Sequence, residues 1–514
     1  MGDAQFLAFS ILIWNVILPS PKGVGVDTSR ARRRQKEKTL RKIKIVPTDF
    51  KLTAATGLGT VLEIFDQSPL ASEFKKCLPE RVSHRSAGSY LLALMVIAGH
   101  IHGVSALSDL AQIKEDPYLQ KLFDDEVAAV RTIGDFLRDF DSEHVEKLNL
   151  FLDRMSRTLF ASLKASLSPE FRPDKFIVDM DSTYHVHYGD RIEGVAYNYK
   201  NEWSLESQVA FNQLGFCHSV LLRPGNTKSG TSAAEQMDLI FRDDLNQVFR
   251  KRSGDYFFRA DSAYCNQDVI KKCMSKGLLF TLTAHDGTTG WKSQLEETGV
   301  DWTPWEYSKE ELEKAAKRGK KLPTIEVGRM HWQPSWSKAT LLFPIVMKRT
   351  WKTPKESSVQ GDIFAPDTIK DMGEWEYYAV VTNLDLSHWS LQQVMQHHAK
   401  RGNAENFAKE EKYNFKLDGF PCSKLLANQA WTMLAMIGHN MIRWIALMDA
   451  PDKPHYSKKI RSKYLFVAGR LVSHAGSLIL RVMKSTYERG LKNLREGWQF
   501  PETMAAQTAL SPSG

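Results

Sequence analysis

Residues 175–183 read KFIVDMDST, and this stretch opens the part of the chain that decides the fold. Its β-branched and aromatic start predicts a short strand that ends in the acidic residues. Side chains two positions apart on a strand point to the same face, so Asp179 and Asp181 are expected to face one side together. Two acids after an apolar strand are typical of a functional site, and a turn or cap is the structural alternative.

The elements predicted after this strand alternate in type. They are extended runs near 192–199 and 207–223, a helix over 231–251, a strand over 256–260, a helix over 266–276 and a strand over 278–283. This order is typical of an α/β domain with a mixed sheet. Ligands of open α/β sheets collect at the C-terminal ends of strands, which makes Asp261 a candidate site residue. An N-cap or Asx turn is the alternative for this aspartate.

A third candidate acid lies in residues 390–419, which predict one long helix. Ser390 and Gln393 form a capping box at its start, and Gly419 followed by Pro421 supplies a stop.

Four charged residues of this helix share one face. Arg401, Glu405, Lys409 and Lys412 are spaced four, four and three residues apart. Taken alone, they fit a solvated ladder of ion pairs, each worth a few tenths of a kcal/mol. They also fit a metal-binding glutamate flanked by cations that hold a phosphate backbone, which requires two more carboxylates in the chain.

Asp181, Asp261 and Glu405 supply such a set in chain order. Three carboxylates that converge on one point repel each other unless cations lie between them. Two magnesium ions, or manganese in their place, commonly hold phosphate oxygens for in-line displacement.

These residues give the chain a family resemblance. It resembles the bacterial insertion-sequence DDE transposases of the group-one DDE domain type, whose catalytic core is similar to ribonuclease H. The segments that carry the resemblance are 181–183, 222–226, 259–262, 381–384 and 401–406. The resemblance implies hydrolysis of a phosphodiester at each element end and attack of the freed 3′ hydroxyl on target DNA, with Asp181, Asp261 and Glu405 as catalytic metal ligands.

Related cut-and-paste enzymes carry a signature of tyrosine, arginine and glutamate followed by lysines. Arg401, Glu405, Lys409 and Lys412 match it, and the tyrosine position is His398. The resemblance implies DNA contacts for the three cations and for His398, where this chain departs from the pattern.

The resemblance also implies a strand-rich insertion at residues 286–375, where a tryptophan can stack on a flipped base. Seven tryptophans lie there, and the sequence does not choose among them: Trp291, Trp302, Trp305, Trp332, Trp336, Trp351 and Trp375.

The expected fold class is α/β, with a ribonuclease H-like mixed-sheet core, a strand-rich insertion and helical regions at both ends. The predicted divisions are an N-terminal extension with a basic arm (1–50), a helical DNA-binding and dimerisation domain (51–170), the first part of the core (171–285), the insertion (286–375), the second part of the core with the catalytic helix (376–420) and a C-terminal helical region (421–514). In the last region, helices are predicted over 423–449 and 460–484.

Charge and composition indicate the partners and the compartment. The net charge is +9, and residues 30–44 hold nine cations against one acid. Arg32, Arg33 and Arg34 are therefore predicted to contact DNA, and a merely solubilising tail is the alternative. The expected partners are terminal inverted repeats, target DNA and a second copy in a synaptic homodimer. The apolar run at 6–19 is too short to span a bilayer comfortably, and no membrane is expected. Five scattered cysteines favour a reducing cytoplasm, with association to the nucleoid.

Two other functions fit the same residues. The chain could be a transposase-derived DNA-binding protein without catalytic activity, or a ribonuclease H-like nuclease that acts by hydrolysis alone.

Overall fold

The structure is a computed structural model that describes residues 44–81, 87–169, 173–242, 255–337, 341–352, 373–417 and 419–497, without the side chains of residues 164 and 165. The chain divides into two units, Met1–Asp49 and Phe50–Gly514. The helices and strands given below belong to the second. The predicted arm residues Arg32, Arg33 and Arg34 and the apolar run at 6–19 lie outside the described residues. The finer domain divisions stay a prediction.

Helices make up most of residues 50–170, in agreement with the helical region predicted over 51–170. After strand β1 (Leu52–Thr53) come α1 (Thr56–Asp66), α2 (Pro69–Lys75), α3 (Ser89–His102), α4 (Ala111–Glu115), α5 (Pro117–Leu122), α6 (Val130–Arg138) and α7 (Ser142–Ser166). The α3 helix is almost wholly buried, which explains why its sequence is apolar all round. Within the described residues, no single helix is long and apolar enough to cross a membrane. One pair, Ser89–His102 with Leu107–Glu115, bent by 101°, is long and apolar enough by length and composition alone.

A ten-stranded mixed sheet forms the centre. Its strands are β2 (Phe176–Val186), β3 (Ala196–Tyr197), β4 (Trp203–Asn212), β5 (Cys217–Pro224), β6 (Tyr256–Ala260), β7 (Leu279–Thr283), β8 (Thr303–Pro304), β9 (Ile325–Trp332), β10 (Phe343–Lys352) and β11 (Glu374–Thr382). The order is β3-β4-β2-β6-β7-β11-β10-β9-β8, with β5 paired to β4. The β2–β6 and β6–β7 pairs are parallel, and β2, β4 and β5 are antiparallel. This confirms the predicted mixed sheet with a ribonuclease H-like core.

Strands β8 to β10 come from the predicted insertion and extend this sheet beyond β11. In the described residues, these helices lie between the strands: α8 (Ala233–Ile240), α9 (Gln267–Ser275), α10 (Asp286–Thr289), α11 (Trp291–Glu297) and α12 (Lys309–Lys317). The helix predicted over 231–251 is seen as α8, and residues 243–254 lie outside the described part. The insertion therefore holds both strands and short helices.

The long helix predicted over 390–419 is wrong. Two helices, α13 (Leu391–Ala399) and α14 (Gly402–Lys409), meet at Arg401, and a π-helical turn follows at Glu410–Asn414. The Arg401 amide bonds to the His398 carbonyl, and Phe415 N bonds to Glu410 O five residues back. The first bond spans three residues and the second spans five, and they replace the regular bonds that span four residues in an α-helix. The predicted capping box of Ser390 and Gln393 is confirmed.

The C-terminal region contains α15 (Leu425–Asp449), α16 (Ser457–Ile460), strands β12 (Gly469–His474) and β13 (Ser477–Val482), and α17 (Lys484–Thr486). The helix predicted over 460–484 is wrong, because β12 and β13 form a hairpin there. Ala475 and Gly476 turn it, both with positive φ, as a two-residue hairpin turn requires. The hairpin joins β1 in a three-stranded sheet of order β1-β12-β13.

Helix α15 covers the free edge of β5, which pairs with β4 alone. Asn440 Oδ1 accepts from the Cys217 amide at 2.8 Å, and its Nδ2 donates to the Cys217 carbonyl at 3.0 Å. Gln429 donates to the Val220 carbonyl at 2.9 Å and accepts from the Leu222 amide. These buried amides satisfy backbone groups that an edge strand would otherwise leave unpaired.

Candidate active site

Strand register brings the first two candidate acids side by side. Strands β2 and β6 are parallel neighbours, and Met180 is paired with Ala260. Asp181 and Asp261 are each the next residue, so they stand level on strands about 4.8 Å apart. The predicted position of Asp181 at a strand end is wrong, because β2 continues to Val186. The parallel pairing with β6 ends there instead.

Both aspartates are largely shielded from solvent. Burial raises the pKa of Asp181 to about 6, and the negative charges of Asp261 and Glu405 add to the rise. Burial also raises the pKa of Asp261. Asp261 Oδ1 accepts from the Ala263 amide at 2.9 Å, so this residue also makes the local cap that was the alternative interpretation. The site thus concentrates negative charge where ionised carboxylates are costly.

Arg401, at the junction of α13 and α14, connects this pair to the third acid. Its guanidinium lies 3.6 Å from Asp181 Oδ2 and donates to Glu405 Oε1 at 3.1 Å. The Arg401 and Asp181 side chains are 14% and 15% exposed, whereas Glu405 is 48% exposed. The predicted ion pair between Arg401 and Glu405 is present, and Arg401 also lies close to Asp181 on β2.

A buried ion pair fixes the frame around these groups, and sequence reasoning missed it. Arg259 donates to both carboxylate oxygens of Asp179 at 2.6 and 2.7 Å, and to the His397 carbonyl at 2.7 Å. Asp179 on β2 and Arg259 on β6 lie two residues before Asp181 and Asp261. One guanidinium therefore connects β2, β6 and the end of α13.

His398, for which the resemblance implies a DNA contact, is 1% exposed. Its ring lies 3.0 Å from the hydroxyls of Thr281, Thr283 and Tyr378. Burial and the charge of Arg401 lower its pKa to about 3, so the ring is neutral. The buried ring could reach DNA only by moving.

Tyr378, on β11, is the neighbour of His398 that faces outward, and it is 36% exposed to solvent. Its hydroxyl also lies 2.8 Å from that of Thr283. Burial raises the pKa of Tyr378, while Thr283 and the charge of Arg401 lower it. No sequence signal identified this residue, because it lies 20 positions before His398 on another element.

The two lysines of the predicted DNA-binding face differ in their surroundings. Lys409 is exposed at the end of α14, whereas Lys412 donates to the Tyr184 carbonyl at 3.1 Å. The π-helical turn that begins at Glu410 changes the direction of the residues after it, so the single helical face expected for all four charges is not formed. Their contacts with DNA stay a prediction.

The sheet separates the insertion tryptophans into groups. Trp375 and Trp351 are paired across β11 and β10, and Arg349 lies 4.3 Å from the rings of Trp302 and Trp375. Strand alternation puts this group on the face opposite Tyr378, while Trp305 packs with the apolar cluster under α13. The tryptophans around Arg349 therefore do not line the same face as the acids.

The donor chemistry of the three acids fits magnesium or manganese, which prefer carboxylate oxygens. Burial, together with the charges of Asp261 and Glu405, raises the pKa of Asp181, and a divalent cation beside it would favour the ionised carboxylate. In the described part of the chain, however, no group of three or more histidines, cysteines, aspartates or glutamates is arranged to hold a metal ion. The arginine that pairs with Glu405 provides the positive charge in this structure.

A ribonuclease H-like sheet with level acids on two parallel strands and a third acid on the following helices places the chain in the DDE class. It matches the family described as "Transposase DDE domain group 1" over residues 35–494, and it belongs to that family. No curated protein matches the chain.

Among solved structures, one match is described as "Mos1 transposase paired-end complex with left transposon end". The identity is 14%, and the alignment covers 41% of this chain and 69% of that chain. The TM-score is 0.16, so this likeness adds nothing to the assignment made from the family and the sheet.

Proposed function

We propose that this protein cleaves DNA at the terminal inverted repeats of a bacterial insertion sequence and joins the ends to target DNA. Asp181, Asp261 and Glu405 are the proposed catalytic residues and the ligands of two Mg2+ or Mn2+ ions. The observation that carries the proposal is the level register of Asp181 and Asp261, together with the guanidinium of Arg401 that spans from Asp181 to Glu405. Family members generally use divalent metal ions.

The proposed reaction has two displacements at phosphorus. In the first, a water oxygen bonds to phosphorus, and the bond to the 3′ oxygen breaks to leave a free 3′ hydroxyl. In the second, that hydroxyl attacks a target phosphodiester and releases a target 3′ hydroxyl, so no oxidant or reductant is needed. Bound divalent cations would stabilise charge on the phosphate oxygens and on the attacking and leaving oxygens.

The chain's own residues supply position and charge. Asp181 lies on β2 and Asp261 directly follows β6, and Arg259 connects these two strands to α13. The third acid lies on α14, the next helix. Arg401 holds Glu405 beside Asp181 and adds a cation where the DNA phosphate would approach. A cation at that position favours the negative charge that develops on a transferring phosphoryl group.

DNA is the proposed partner, and we extend this to a homodimer that brings two element ends together. Arg401, Lys409 and Lys412 are the proposed backbone contacts at the site. The cytoplasmic, nucleoid-associated location stays a prediction. A silent DNA-binding protein and a hydrolytic nuclease remain the alternatives.

One assay separates the three functions. Purified full-length protein is mixed with labelled terminal-repeat duplex, supercoiled target DNA and Mg2+, and Glu405→Gln is compared with wild type. Cleavage followed by joining supports transposition, cleavage without joining supports the nuclease, and binding alone supports the silent protein.

Glu310→Gln is the matched control, because it makes the same change on an exposed helix, with a side chain 76% exposed. It should cleave as wild type does. The assignment of the third acid is wrong if Glu405→Gln cleaves at the wild-type rate.

A further inference from the structure

The small sheet β1-β12-β13 has one inner and one outer face. Directly paired residues share a face, and Leu471 and Leu480 turn inward against the core. Arg470 and Arg481 are the pair before them and point outward. The outer face continues on β1 with Leu52, which pairs with Arg470 and is 51% exposed.

The two arginines stand directly opposite each other on the antiparallel strands. Side chains in such a pair have Cβ atoms about 5 Å apart, and like charges there are destabilising. Among the described residues, neither arginine has an ion pair with a carboxylate. Arg470 instead lies 3.5 Å above the ring of Phe50. Two unbalanced charges at this distance favour an anionic partner that touches both.

The surroundings of the pair are also basic. The hairpin and the segment that follows it, residues 469–492, hold five cations against one acid, a net charge of +4. The cations are Arg470, Arg481, Lys484, Arg489 and Lys492, and the acid is Glu488. His474, which pairs with Ser477 at the hairpin tip, lies on the arginine face.

We propose that the outer face of this sheet, centred on Arg470 and Arg481, is a second binding surface for duplex DNA. Double-stranded DNA carries a charge about every 1.7 Å of its axis, so two adjacent guanidiniums can contact neighbouring phosphates. A two-stranded ribbon also fits the width of a DNA groove. The exposed apolar side chains Phe50, Leu52 and Ile479 would contact sugars at the edge of the groove. The inference rests on the proposed function, since the DNA is that of the transposition reaction.

The test measures binding of full-length protein to a terminal-repeat duplex and to an unrelated duplex across 50–300 mM salt. The double variant Arg470→Gln with Arg481→Gln removes both charges. Each lost phosphate contact lowers the slope of log affinity against log salt by about 0.9, so the expected decrease is about 1.8. At 0.1 M salt the affinity should fall roughly 10- to 60-fold for both duplexes.

Two control variants interpret this result. The pair Arg470→Lys with Arg481→Lys keeps the charge and should keep most of the salt slope. The pair Lys458→Gln with Lys459→Gln removes two exposed charges from another surface and should leave the slope near wild type. Thermal unfolding of each variant checks that the sheet is intact.

The proposal is overturned if the variant Arg470→Gln with Arg481→Gln keeps the wild-type salt slope. It is also overturned if the variant Lys458→Gln with Lys459→Gln loses as much of the slope. It is also overturned if the arginine variant binds DNA normally but changes from dimer to monomer by light scattering, because the face would then bind a second copy of the chain.

The outcome is independent of the catalytic assignment. Glu405→Gln should keep the wild-type salt slope while it fails to cleave DNA, whereas the arginine variant should lose about 1.8 of that slope. Normal cleavage by Glu405→Gln together with a reduced slope for the arginine variant would refute the acid set and leave the second surface standing.

Discussion

Replacement of Asp181 by asparagine tests the electrostatics of the site in the absence of metal. Its pKa is raised from 3.8 to about 6, because the side chain is buried beside other acids. This difference corresponds to about 3 kcal/mol of destabilisation once the carboxylate is ionised. Since the folded-state pKa is raised, the free energy of unfolding is highest below about pH 4, where Asp181 is protonated. This contribution of about 3 kcal/mol is lost as the pH rises through about 6.

Asp181→Asn should therefore be more stable than wild type above pH 6, by up to about 3 kcal/mol, with the difference vanishing near pH 4. Thermal unfolding of both proteins in EDTA from pH 4 to pH 8 gives the comparison. Mg2+ at pH 8 should raise the Tm of wild type more than that of the variant, because the variant has lost a proposed ligand.

The exposed Asp301→Asn variant is the control and should follow wild type at each pH. A Tm difference between Asp181→Asn and wild type that does not change with pH would refute the burial argument. Equal stabilisation of both proteins by Mg2+ would refute Asp181 as a metal ligand.

Three further changes test the residues around the acids. Arg259→Met leaves the buried carboxylate of Asp179 without its partner and should cost about 3–5 kcal/mol, measured by urea unfolding. Arg401→Lys keeps the charge but not the planar fork that reaches two acids, so cleavage should fall at least about tenfold, with little change in Tm. His398→Tyr places a larger ring in a buried site and should lower stability by about 1–3 kcal/mol without increasing cleavage.

Each of these changes has a contrary result. An Arg259→Met protein as stable as wild type would show that the Asp179 carboxyl is protonated in the fold. Wild-type cleavage by Arg401→Lys would leave that guanidinium without a role in the reaction. Faster cleavage by His398→Tyr would show that this position does reach DNA.

The sequence predicted the mixed sheet well, because the composition of each strand and the order of strands and helices are visible in the chain itself. The level alignment of Asp181 with Asp261 depends on which strands pair and in which register. Neither the pairing nor the register can be predicted from the sequence of one strand. Arg259 was missed for the same reason, since its partner Asp179 is 80 residues away.

The two wrong helices have different causes. Gly402 and Asn403, which are weak helix formers, directly follow the break at Arg401, so a local signal for this break was present. The capping box and the charge spacing favoured one continuous helix instead. The hairpin at 469–482 is apolar enough to suggest a helix, although Gly469 and the Ala475–Gly476 pair were signals for strands and a turn.

The cover that α15 provides over β5 has a consequence for shortened copies of the gene. A stop codon before residue 425 would yield a chain that keeps the acids but lacks Gln429 and Asn440. The backbone groups of Cys217, Val220 and Leu222 would then be open to pair with a strand of another molecule. Such a chain should accumulate as aggregates and not as a soluble competitor of the full-length protein.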